Sequence, residues 1–137
     1  MREASTSSSI RLNSVPSNVD KVSTFVENLS SKFRFAPDTY GNVLISLTEA
    51  VNNAIIHGNK QDENKVVEVR TAKRNGKLAI TVKDEGKGFD YLNLPDPTSK
   101  ERIRECGGRG VFLMRTLSDE VNFSNNPNTV EMHFKLK

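Results

Sequence analysis

A chain of 137 residues has the length of one ordinary domain and can bury a real core, so 1–137 reads as a single unit, structured from about 10 to 136. Its 20 basic and 17 acidic residues leave a net charge of +3 and a pI near 9.1, too small an imbalance, with no basic-aromatic patch, to argue for nucleic acid. The single cysteine, Cys106, excludes an internal disulfide and a cysteine-rich zinc site, and no apolar run resembles a signal peptide or a membrane span, so a cytoplasmic protein is expected.

After a polar lead-in from Ser5 to Ser9, Ile10, Leu12 and Val15 alternate with polar residues as a first strand, closed by Pro16. Ser17 or Asn18 is the expected cap of a helix whose apolar stripe is Val19, Val22, Phe25, Val26, Leu29 and Phe33. Pro37-Asp38 turns the chain and starts a longer helix, expected from about Asp38 to Gly58, with Gly58-Asn59 as its stop. Val66, Val67, Val69 and Thr71 form a strand, Asn75-Gly76 a hairpin turn, and Leu78 to Lys83 the return strand. A charged, glycine-punctuated stretch from Asp84 to Gly110 is long enough to cover a ligand. A helix from Val111 and strands over 120–123 and 129–136 complete the chain.

The longer helix is the centre of this pattern. Wound at about 100° per residue, Glu49, Asn53 and His57 fall in one stripe, while Tyr40, Leu44, Leu47, Val51 and Ile55 point the other way. A carboxylate one turn from a carboxamide can hold a hydrated Mg²⁺ through the amide oxygen and keep the carboxylate for a nucleophile, because Mg²⁺ needs only one or two protein oxygens beside substrate phosphates. Such a stripe is ordinarily just a solvated helix face. Two further stretches give it weight.

In Asp84-Glu85-Gly86-Lys87-Gly88-Phe89 the aspartate ends a strand, where it can accept a hydrogen bond from the amine of a purine, and the glycines let backbone approach a flat ligand. Gly107-Gly108-Arg109-Gly110 directly precedes a helix, where free amide groups make a phosphate cradle. No Gly-Lys-Ser/Thr follows either loop, and Leu113 stands where a dinucleotide fingerprint needs its third glycine, so both of those nucleotide folds are disfavoured.

In their order and spacing, Glu49-Ala-Val-Asn-Asn53-Ala-Ile-Ile-His57-Gly58, Asp84-x-Gly86-x-Gly88 and Gly108-Arg109-Gly110 resemble the N, G1 and G2 boxes of the GHKL (Bergerat-fold) ATPases. Within that superfamily the chain is similar, from Ile10 to Leu136, to the anti-sigma-factor serine/threonine kinases of the RsbW/SpoIIAB type. The resemblance implies a two-layer α/β sandwich with a mixed, mostly antiparallel sheet, helices on one face, and ATP held between the helices and a lid within 84–110. It implies Glu49 as general base, Asn53 as Mg²⁺ ligand, Asp84 as adenine reader, Gly86 and Gly88 beside the nucleotide, and Gly108, Arg109 and Gly110 along the phosphates. Arg102, Arg104 and Arg109, in or near the lid, are each candidate phosphate neighbours, and the sequence does not choose among them. Where relatives have a Gly-Thr-Thr-like strand entry this chain has Pro127-Asn128-Thr129, and Thr129 is expected to keep that phosphate contact. The wording around Cys106-Gly107-Gly108 also departs from theirs.

The implied function is phosphorylation of an anti-anti-sigma (STAS-type) protein by an anti-sigma factor that also binds a sigma factor, in a homodimer, with no nucleic-acid or membrane partner. A nucleotide-gated sequestering module without kinase activity, and a plain ATPase, are the alternatives.

Overall fold

The structure, a computed structural model, describes residues 7–86, 108–125 and 128–136. Five strands, β1 (Ser7–Asn13), β2 (Val66–Arg74), β3 (Lys77–Lys83), β4 (Glu120–Asn125) and β5 (Asn128–Lys135), form one sheet in the order β1-β2-β3-β5-β4. Its four pairings among the described residues are all antiparallel, in line with the mostly antiparallel sheet expected. Three α-helices, α1 (Asp20–Phe33), α2 (Pro37–Asn53) and α3 (Gly108–Leu117), accompany the sheet among the described residues, with a short 3₁₀ turn before α1 and a π-helical segment after α2.

The hairpin between β2 and β3 is the turn that Asn75-Gly76 demands. Both residues take positive φ, 52° and 75°, the geometry whose twist matches that of the flanking strands. It fixes the register that pairs Val69 with Val82, and β5 continues the match by setting Met132 against Ile80 and Val130 against Val82. These residues lie on the helix side and are buried, as are Val22, Val26 and Leu29 of α1 and Val43, Leu47 and Val51 of α2. Each such side chain contributes about 1.5–3 kcal/mol by leaving water, which is what holds the helix layer on the sheet. The opposite face is polar, with a groove of about 1080 Å³ lined by residues such as Arg70, Thr81, Glu131 and His133. None of the nucleotide-motif residues borders that groove.

Helix starts differ from expectation. Neither Ser17 nor Asn18 caps α1; Pro16–Val19 is a 3₁₀ turn, α1 begins at Asp20 without a side-chain cap, and the Asn18 amide donates instead to the Asn13 carbonyl at 2.9 Å. Helix α2 begins at Pro37, whose fixed φ and missing N–H suit a first helical position, and Asp38 lies inside the first turn rather than capping it.

The end of α2 differs more. After Asn53 the chain widens into a π-helical segment, Ala54–Gly58, closed by a bond from the Asn59 N–H to the Ala54 carbonyl at 2.8 Å. In i→i+5 geometry each residue advances less around the axis, so His57 falls behind the stripe of Glu49 and Asn53 that uniform α-helix would have given it. The helical segment ends at Gly58 with Asn59 as its cap, as expected, and Lys60 and Gln61, both at positive φ, then turn the chain away.

Candidate functional site

Glu49 and Asn53 lie one turn apart on α2, and the stripe they form is not a solvent face. Glu49 is half-buried and Asn53 only 6% exposed, because the start of α3 covers them. A Cβ built on Gly110 would stand 2.9 Å from Asn53 Nδ2 and 3.3 Å from both Asn53 Oδ1 and Glu49 Oε2. A side chain at this position would press on the ends of both Asn53 and Glu49, so glycine suits the close seating of the first turn of α3. Gly108, Arg109 and Gly110 are inside that turn instead of ahead of it. The consequence for an anion is the same, since the first N–H groups of a helix have no partner within it and carry the positive end of its dipole.

A second contact forms at the end of α2. A Cβ on Gly58 would lie 2.3 Å from Asp84 Oδ2, and a Cβ on Gly86 would lie 1.9 Å from the Gly58 carbonyl oxygen. Neither glycine has positive φ, so both are there for close approach and not for a turn. Asp84, at the end of β3, is 8% exposed; its Oδ1 accepts the Gly86 N–H at 2.8 Å and the Asn128 amide at 3.1 Å. Burial pushes the Asp84 carboxyl above the ordinary carboxylate range, and the bonds from Gly86 and Asn128, with the nearby charge of Lys65, pull it back in part. For His57, burial and then Lys60 lower the pKa, so the imidazole is neutral at neutral pH.

Two residues that the motifs did not single out hold this turn. Asn128 opens β5, and strand alternation puts it on the same face as Val130, Met132 and Phe134, toward the helices; its Nδ2 also donates to the Gly86 carbonyl. Thr129 is therefore on the other face, paired with Lys83 and Ser124, and is not brought to the group. The alternation of Val130, Met132 and Phe134 in the sequence carries this signal. Asn59, fully buried, accepts the Glu85 N–H at 2.7 Å and donates to Ser14 Oγ at 2.8 Å, while Ser14 Oγ donates to the Lys65 carbonyl at 2.8 Å. Sequence periodicity gives no hint of that link, which joins residues far apart in the chain.

The structure thus brings Glu49, Asn53, Asp84, Gly86 and Gly110 to α2 and its end, from three stretches distant in sequence. Gly88, Arg102, Arg104 and most of the expected lid lie outside the described residues. Among the described residues Asn53 Nδ2 is buried without a hydrogen-bond partner; as a donor it suits an anionic oxygen such as one of phosphate, and Oδ1 is the atom that would face a cation. Among the described residues no three His, Cys, Asp or Glu cluster as a metal cage. Mg²⁺ needs no such cage, so one amide oxygen beside phosphate is a donor set of the right kind.

Comparison with known proteins identifies the family. The family described as "Histidine kinase-like ATPase domain" matches residues 12–134. The serine-protein kinase RsbW of Bacillus subtilis (strain 168) is 30% identical over 117 residues, which are 81% of this chain and 73% of that protein. The serine-protein kinase RsbW of Staphylococcus aureus is 32% identical over 124 residues, 82% of this chain and 77% of the other. With its carboxylate and carboxamide under a glycine-started helix and its aspartate packed on the end of the same α2, the chain belongs to the histidine kinase-like ATPase family, among the serine-protein kinases of the RsbW type.

Proposed function

We propose that this protein binds Mg·ATP across α2, the first turn of α3 and the Asp84 turn, and transfers the γ-phosphoryl group to a serine or threonine hydroxyl of an anti-anti-sigma (STAS-type) protein, acting as an anti-sigma factor toward a sigma factor. The observation that supports it most is the seating of Gly110 on Glu49 and Asn53, which puts a helix start directly over a carboxylate and an amide. In this reading Asp84 accepts a hydrogen bond from the adenine amine, and the close packing of Gly58 and Gly86 fixes its depth. The first-turn N–H groups of α3 receive phosphate oxygens. Glu49 accepts the proton of the attacking hydroxyl as it becomes the new phosphate ester. Asn53 would hold Mg²⁺, which when bound offsets charge on the phosphates. A homodimer is part of the same reading, with the edge strand β1 as a contact.

The test is incubation with γ-labelled ATP, Mg²⁺ and purified STAS proteins from the same genome. Label on a serine or threonine of one of them is the expected result. Release of free phosphate with no labelled protein, or no turnover of ATP, overturns the proposal.

A further inference from the structure

Asp84, Glu85 and Gly86 form a turn that is held from two sides by carboxamides. From the β5 side, Asn128 Nδ2 donates both to Asp84 Oδ1 at 3.1 Å and to the Gly86 carbonyl. Both partners are acceptors, so the amide has one orientation: reversed, it would set oxygen against two oxygens. That orientation leaves Asn128 Oδ1 buried with no partner among the described residues, a cost that apolar packing alone would not incur. From the β1–β2 side, Asn59 Oδ1 accepts the Glu85 N–H at 2.7 Å, and its own Nδ2 is anchored on Ser14 Oγ at 2.8 Å and the Val66 carbonyl at 3.3 Å.

We propose that Asn59 and Asn128 are positioning residues, a two-sided clamp on the Asp84–Gly86 turn that makes the site select a purine with an exocyclic amino group. The inference rests on the reading of Asp84 as the group that meets the base. Among the described residues both donors to the carboxylate go to Oδ1, which leaves Oδ2, beside Gly58, to accept from a ligand. A carboxylate accepts and does not donate, so a pinned Oδ2 rewards an amine and penalises the 6-oxo group of hypoxanthine. If the turn loosens, the carboxylate can swing away and let water sit between, and the discrimination is lost before binding is.

Dissociation constants for ADP and IDP, measured by calorimetry on the full chain, test this, with thermal melts to confirm folding. The parent is expected to prefer ADP. Asn128→Val, which suits a strand, is expected to lower that preference about tenfold by weakening ADP and not IDP. Asn128→Thr, able to donate one bond to Asp84, is expected to recover part of it. Asn59→Ala should lower the preference in the same sense. If either the Asn128→Val or the Asn59→Ala change weakens ADP and IDP equally, that residue serves stability alone and the two-sided clamp is overturned. A parent protein with no preference for ADP overturns the reading of Asp84 itself, and the clamp with it.

Discussion

Glu49→Gln is expected to bind ATP like the parent and to lose phosphoryl transfer on the order of 10²- to 10⁴-fold. Glutamine keeps the size and the packing against α3, where a Cβ at Gly110 would already approach Glu49 Oε2 to 3.3 Å, so the nucleotide site should survive the change. What is lost is an oxygen able to take a proton from the attacking hydroxyl. Positioning by α2 and α3 remains, which is why residual transfer is expected. Nucleotide titration against labelled-acceptor kinetics separates the two effects. Transfer at the parental rate would show that Glu49 is not the base.

Gly58→Ala is expected to weaken nucleotide binding by about ten- to a hundredfold while the fold is retained. The new Cβ would meet Asp84 at 2.3 Å from Oδ2 and 2.4 Å from Cγ, distances that no methyl group tolerates. The backbone of Gly58 cannot retreat, because Gly86 already packs on its carbonyl oxygen with no room for a side chain. Asp84 must therefore move, and its carboxylate is tied to Asn128 at 3.1 Å. Titration with a fluorescent nucleotide, beside a thermal melt, checks this; an unchanged affinity would contradict the role given to Asp84.

Local chemistry made much of this molecule legible. Asn75-Gly76 specifies its own turn, and the spacing of Leu47, Val51 and Ile55 specifies a buried helix face, since each depends on residues a few positions apart. The motif residues Glu49, Asn53, Asp84 and Gly110 could be named because their residue types carry the chemistry. The widening of α2 after Asn53 could not be read, since a π-helical segment has no composition of its own, and His57 lost its place in the stripe as a result. Ser17 and Asn18 do not cap α1 because a 3₁₀ turn over Pro16–Val19 moves the helix start to Asp20, past both of them. Asn59 and Asn128 escaped for a different reason. Their importance lies in hydrogen bonds that span 26 and 44 residues, and such pairs become neighbours only once the sheet is assembled. At the entry to β5 the expectation fell on Thr129, one residue along, which in a strand means the opposite face.

A crystal structure of the protein with Mg²⁺ and a non-hydrolysable ATP analogue tests the central claim most directly. The exocyclic amine should lie on Asp84 Oδ2, with the phosphates between Asn53 and the first turn of α3. Nucleotide bound instead in the groove on the other face of the sheet, or α3 closed on α2 with no nucleotide between them, would contradict it.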